Sequence, residues 1–362
     1  MIIPELPAYL TNLGGEEYKG LIISLFTVMA MLSRPISGKL ADVMGRKPVM
    51  IIGAVVGIGS GFLYPLFSSV FAFLLIRFIH GASTGFNPTG LSAYIADIIP
   101  KEKRGSAMGV LGVFTSTGFA LGPSIGPFIS ESLGLDALFY SSSILAFLSL
   151  IVIVNMKETL PNPQRPNRKN MRIALRDVFE PQVAAPALYF LLSTYSFGGI
   201  LTIIPDFTDH LELGNRGLFY TIFVFSSLFV RVIAGKLSDK IGRVKLLKIA
   251  AFIIIIALIT LSQTTSIVGF VISAILYGLG VGINSPTVFA WTVDLSDESH
   301  RGRAMATLYI ALEIGIGIGA ISMASIYNNQ SSQFSYAFIS AGVLSVLSFL
   351  MLFSPLAVRQ SK

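Results

Sequence analysis

The chain has 362 residues, of which 53% are hydrophobic and only 12% charged, with a mean hydropathy of +0.75. A water-soluble surface needs about a quarter of residues charged, so a soluble globular protein is excluded and lipid is the expected solvent. The net charge of +7 sits in short clusters between apolar runs, which argues against nucleic acid as partner, and the absence of Cys excludes disulfides and thiolate metal sites.

A bilayer-crossing helix needs about 20 mostly apolar residues. In chain order such stretches lie near 20–38, 48–68, 70–95, 105–130, 135–155, 184–205, 216–235, 246–264, 266–292, 303–327 and 333–355. They are too long and too uniformly apolar for the alternating strands of a membrane β-barrel. Lys and Arg cluster after every second stretch: Lys39, Arg46 and Lys47, then Lys101, Lys103 and Arg104, then the long loop 156–182. The clusters continue at Lys236–Lys248, at Arg301 and Arg303, and at Arg359 and Lys362. Arg34 and Arg231 are read as span ends on this same side. The opposite side has only Lys19 and Arg216 among many acidic residues. The positive-inside rule makes the basic side, and the C-terminus, cytoplasmic. An odd number of spans then puts Met1 outside. Residues 1–10 are apolar but too short to cross, and are expected to be the outer end of a first helix, so the full spans count as two to twelve.

The two halves align without a gap at an offset of 197 residues. Arg34 matches Arg231, Asp42 matches Asp239, Arg46 matches Arg243, Asn87 matches Asn284, Asp97 matches Asp294 and Gly122 matches Gly319. The expected domains are therefore a first bundle 1–155, a linker 156–182 and a second bundle 183–362. The linker is basic and carries Pro161, Pro163 and Pro166; it is expected to be a solvated tether, with a short amphipathic helix near 170–179.

Three motifs stand on this frame. The first is Gly38-Lys-Leu-Ala-Asp42-Val-Met-Gly45-Arg46, with its copy Gly235-Lys-Leu-Ser-Asp239-Lys-Ile-Gly242-Arg243. The second is Arg77-Phe-Ile-His80-Gly81. The third is Gly109, Gly118, Gly122-Pro123 and Gly126. Together they resemble the drug:proton antiporter branch of the major facilitator superfamily. The resemblance implies an all-α membrane protein, two pseudo-symmetric six-helix bundles of which the first helix is truncated, leaving about eleven full transmembrane helices. It also implies that Asp42 caps the start of span eleven near Gly302 while Arg46 pairs with Asp97. By symmetry Asp239 would face the start of span five near Gly105 and Arg243 would pair with Asp294, with Arg104 and Arg301 at the same cytoplasmic gate. Arg77 would face the central cavity, with His80 one turn deeper. The glycine motif implies export coupled to an inward ion, usually a proton.

Glu313 stands near the middle of span eleven where the first half has Ser116. Burial disfavours a lone charged carboxylate, so Glu313 is the leading proton-carrier candidate, with Glu5, Arg77 and His80 behind it. Asn87-Pro88 and Asn284-Ser-Pro286 interrupt spans four and ten and are expected to line the substrate site as broken helices, with Tyr195 as an aromatic wall. No phosphate loop, metal-ligand cluster or nucleophile–base pair occurs, so neither an enzyme nor a cofactor or metal is expected. The reading is a monomeric secondary transporter of the bacterial inner membrane, exporting a small molecule with protons as the coupling partner; uptake of a metabolite such as a sugar is the alternative, and a non-transporting receptor a lesser one.

Overall fold

A computed structural model describes residues 1–99, 104–165, 178–296, 301–355 and 357. Those residues form helices. A 3-10 turn, Ile3–Glu5, runs into α1 (Leu6–Asn12), followed by α2 (Lys19–Val43), α3 (Arg46–Leu63), α4 (Val70–Ile98), α5 (Arg104–Leu133) and α6 (Leu135–Asn155). The second series is α7 (Ala184–His210), α8 (Leu218–Ile241), α9 (Arg243–Ser262), α10 (Ile267–Leu295), α11 (Arg301–Tyr327) and α12 (Phe334–Met351). Among the described residues nine helices are long and apolar enough to cross a membrane. The other two expected spans are α5 and α8, which are 30 and 24 residues long. The first is diluted by Gly, Ser and Thr, and the apolar stretch of the second is Leu218–Arg231.

Two expectations change here. Pro88 and Pro286 do not break their helices: α4 and α10 each continue for 29 residues across them. A helix packed inside a bundle can absorb one missing N–H, because neighbouring helices and side chains re-satisfy the freed carbonyl. The linker, in turn, is no free tether over its first ten residues. Gln164 N donates to the Val43 carbonyl at 2.7 Å, and Thr159 Oγ1 donates to Asp97 Oδ2 at 2.7 Å. Residues 166–177, which hold most of the expected amphipathic helix, lie outside the described residues.

In the first series α2 packs on α4, α4 on α3 and α3 on α6; in the second α7 packs on α11 and α12, and α10 on both α8 and α9. The series meet along two seams, α2 with α11 and α5 with α8. With no hydrophobic drive between helices in lipid, close approach depends on small residues. The α7–α11 contact shows this: a Cβ added at Gly198 or Gly319 would overlap the carbonyl oxygen of Ile316 or Tyr195.

The buried apolar residues change along the helix axes. Toward the acidic face, one cluster joins both series, with Leu6, Leu10, Tyr64 and Phe139 alongside Phe207, Phe219, Phe270 and Phe338. Toward the basic face the core divides. Ala41, Val49 and Phe86 form one cluster, and Met50, Ala54 and Ile153 another, both in the first series. Tyr189, Phe190 and Trp291, and separately Ala234, Leu246 and Ile283, belong to the second.

Candidate functional site

Glu313 lies at mid-length of α11 and is 8% exposed. It is not a lone carboxylate. Arg34 Nη2 of α2 donates to its Oε1 at 2.9 Å, across the seam between the two series. The guanidinium also lies 4.1 Å from the ring centre of Tyr309, one turn earlier on α11. Tyr309 meets Phe289 edge-on at 5.4 Å, and Phe289 meets Phe190 in the same way at 5.8 Å. Arg34 Nε is buried without a partner. The pair escaped the sequence reading because Arg34 was placed at the end of its span. The helix instead continues to Val43, which sets Arg34 about 13 Å inside it at 1.5 Å per residue.

At the acidic face two further ion pairs cross between the series. Lys19 Nζ at the start of α2 lies 2.5 Å from Asp206 Oδ2 of α7. Arg216, just before α8, donates from Nη1 to Glu5 Oε2 at 3.0 Å, and also binds Asp209. Lys19 and Arg216, the two cations of the acidic side, are repeat mates at the offset of 197, a signal present in the sequence. Backbones touch beside both pairs. A Cβ at Gly20 would come within 2.9 Å of Ile321 Cα, and one at Gly217 would overlap the carbonyl oxygen of Pro123.

That carbonyl explains part of the glycine motif. Pro127 has no N–H, so the Pro123 oxygen lacks its helical donor and projects against the start of α8. Gly122 and Gly126 face the backbone of Met1, whereas Gly118 has open space around it. The side chains at Arg104, Arg301, Gly235 and Gly109 lie outside the described residues.

The other candidates separate by depth and partner. Arg77 is 2% exposed and its partners lie within the first series. Its Nε donates to the Ile22 carbonyl at 3.1 Å, its Nη1 to Tyr64 Oη at 3.3 Å, and its plane covers Phe26 at 4.5 Å. Tyr64 Oη lies 3.1 Å from His80 Nδ1. Arg77 can only donate, so the tyrosine hydroxyl accepts from it and is free to donate to the histidine. Tyr64 is thus the hub of a hydrogen-bonded cluster, a role its sequence position gave no hint of. Asn87 packs its backbone and Cβ on α3 at Gly53, within 2.6–2.8 Å of a Cβ there, while Pro88 is exposed. Asn284 is buried between α10 and α7; its Nδ2 donates to Ser193 Oγ at 3.1 Å and its Oδ1 has no partner. Pro286, two residues further along α10, is half-buried. The Tyr195 hydroxyl accepts from Ser322 at 2.6 Å. Phe119 of α5, Phe197 of α7 and Phe223 of α8 form an aromatic bridge between the series, with ring centres 5.9 and 6.0 Å apart.

At the basic face the structure joins Arg46 Nε to Asp97 at 3.0 Å and Arg243 Nε to Asp294 at 2.9 Å. The helix starts that Asp42 and Asp239 are expected to face, near Gly302 and Gly105, have side chains outside the described residues. Each aspartate takes the arginine four residues on, at 2.9 and 2.5 Å, and is about 70% exposed (72% and 69%). Gly38 has open space around it. Gly45 and Gly242 adopt positive φ, 116° and 92°, which suits glycine. The two loops then differ. A Cβ at Gly45 would overlap the carboxylate of Glu158, which accepts from the N–H groups of Arg46 and Lys47 at 2.9 and 3.0 Å and so caps α3. Among the described residues nothing lies within 4 Å of a Cβ at Gly242. Glu158 was missed because a carboxylate bound to backbone leaves no partner residue type to search for.

The sequence model described as Major Facilitator Superfamily matches residues 1–296 and 217–362. The multi-drug resistance efflux pump PmrA of Streptococcus pneumoniae is 30% identical over 378 residues, covering 99% of this chain and 92% of that protein. The multidrug resistance protein MdtG of Escherichia coli is 26% identical over 360 residues, covering 95% and 87%. In fold, the crystal structure of the human organic anion transporter MFSD10 superposes with a TM-score of 0.73 at 22% identity, covering 96% of this chain and 88% of that one. With helices, seams and loop signature as described, the chain is a multi-pass membrane protein that belongs to the Major Facilitator Superfamily of transporters.

Proposed function

We propose that this transporter exports small amphipathic molecules by alternating access, with protons moving inward through Glu313. The residues 1–155 and 183–362 act as two bodies joined by 156–182, and the basic face is cytoplasmic by the positive-inside rule. The observation that carries the reading is the Arg34–Glu313 pair, buried at mid-depth and spanning the two bodies. With Glu313 ionised, the pair ties α2 to α11. A proton on the carboxylate removes the negative charge while Arg34 keeps its own, and the tie weakens. The body motion and the proton are then coupled through one contact. The names of the bacterial relatives support efflux of drug-like compounds. The arrangement described above, joined at the acidic face and divided at the basic face, is the state that would load from the cytoplasm.

The test is transport in proteoliposomes under an imposed pH gradient, using ethidium as probe. Wild type should move ethidium against its gradient, and Glu313→Gln should lose at least ten-fold of the gradient-driven rate while keeping ethidium exchange without a gradient. Equal gradient-driven rates in the two proteins would sink the coupling role.

A further inference from the structure

The seam cations come in two pairs of repeat mates, Lys19 with Arg216 and Arg34 with Arg231. Three of the four reach a carboxylate in the other series: Lys19 has Asp206, Arg216 has Glu5 and Arg34 has Glu313. Arg231 has none among the described residues. Its Nε donates at 3.3 Å to Ser227, one turn back on its own helix, and no carboxylate stands against its guanidinium. The position explains the difference. The repeat mate of Glu313 on α5 is Ser116, which carries no charge. Arg231 is nevertheless deep, about 15 Å from the end of α8 by ten residues of helical rise, and only half-exposed. A charge at that depth normally faces a partner or a cavity. At the α2–α11 seam the same repeat position is filled by a salt bridge.

We propose that Arg231 is the docking point for the anionic group of a transported molecule, and that the ligand class is an amphipathic aromatic monoanion, a carboxylate or sulfonate on a ring system. The guanidinium and the Ser227 hydroxyl supply the donors for the anion. The apolar body has a place to lie: Phe223 sits eight residues, about 12 Å, further along α8, in the aromatic bridge with Phe197 and Phe119. A two-ring skeleton matches that separation. The seams then divide the work. The α2–α11 seam carries its own acid, and the α5–α8 seam takes its acid from the ligand. This rests on the chain exporting small amphipathic molecules, as proposed above.

The experiment measures equilibrium binding of dansylglycine and of its methyl ester to the purified protein in lipid nanodiscs, read as dansyl emission excited through the single Trp291. The two probes differ only in the charge. Wild type should prefer the acid. Arg231→Gln should weaken the acid about ten-fold or more, the loss expected for a charged hydrogen bond, and leave the ester within about two-fold; Arg231→Lys should fall between. Ser116→Glu, which puts a carboxylate at the repeat position of Glu313, should expel the acid to the same degree. Retained ester binding shows that each variant is folded, and where Arg231→Gln does not fold, Ser116→Glu decides. A wild type that does not distinguish acid from ester overturns the proposal, as does an equal loss of both probes in Arg231→Gln or unchanged acid binding in Ser116→Glu. Gradient-driven export of ethidium is scored separately, so failure of this site and failure of the transport reading are told apart.

Discussion

The acidic and basic faces are built from the same repeat but use their cations in opposite ways. At the acidic face Lys19 and Arg216 reach across to the other series, where one apolar cluster spans both. At the basic face Arg46 and Arg243 bind Asp97 and Asp294 within their own series, and the apolar core is divided into separate clusters. The difference is one of reach, not of composition. It teaches that the conformation is encoded in which carboxylate each repeat cation finds. The contacts inside each series are backbone-close and apolar, as at Gly198 and Gly319. The seams add a few polar pairs to their apolar and backbone contacts, and polar pairs can be exchanged at little cost when each partner finds a substitute.

The largest effect should come from reversing a charge at the closed face. Lys19 and Asp206 are both mostly buried, with 8% and 13% of their side chains exposed. Breaking a buried pair leaves an uncompensated charge and costs about 3–5 kcal/mol. Lys19→Asp should therefore open the acidic face, seen as longer spin-label distances between residues 132 and 330 by electron paramagnetic resonance. The swap Lys19→Asp with Asp206→Lys should restore most of the wild-type distance. If the single variant keeps the wild-type distance distribution, the pair does not hold that face shut.

A smaller effect should follow from a wedge. Gly217→Val places its Cβ on the Pro123 carbonyl oxygen, and such overpacking costs about 1–3 kcal/mol. The strain is relieved when α5 and α8 separate, so the variant should favour the conformation open at the acidic face. Cysteine labelling at Asn215 should then accelerate several-fold in Gly217→Val over the chain that keeps Gly217. The reverse order of rates would break the link between this contact and closure.

These contacts also mark the limit of what the sequence discloses. Spans, basic face and family were legible because each is local: an apolar run, a cluster of Lys, a loop such as Gly38–Arg46. The repeat even exposed Arg231 and Ser116 as mates of a charged pair. The cross-seam partners were not legible, since Arg34 and Glu313 are 279 residues apart and only packing of α2 on α11 joins them. Arg34 was also misjudged in depth, because a polar loop motif at Gly38–Asp42 reads as the end of a span although the backbone there is still helical. The partners of Arg77 were hidden for a similar reason: the chain shows a buried cation but not the carbonyl of Ile22 that accepts from it. Asn87 and Pro88 read as a helix break because propensity is a solution property, and packing against Gly53 overrides it.

The smallest predicted effect concerns the asymmetry within the basic face, where the Gly45 loop is closed by Glu158 and the Gly242 loop is open. Burial pushes the Glu158 carboxyl up, but the N–H groups of Leu160, Arg46, Lys47 and Thr159 outweigh it and hold the group below its ordinary 4.5. A depressed carboxylate contributes stability that is present above its unfolded value and is lost as pH falls through the folded one. The contribution is therefore complete at neutral pH and disappears only below about 4.5. A charge at a partly exposed helix N-terminus contributes roughly 0.3–1 kcal/mol. Glu158→Gln should lower the thermal midpoint by about 1 °C at pH 7, and the gap from wild type should close as pH is taken below 4.5. Gly45→Ala should cost more than Gly242→Ala, because both strain a positive φ but only the first also displaces the carboxylate. If the two alanine variants are equally destabilised, Glu158 does not distinguish the loops, and the basic face is as symmetric in energy as its sequence motif.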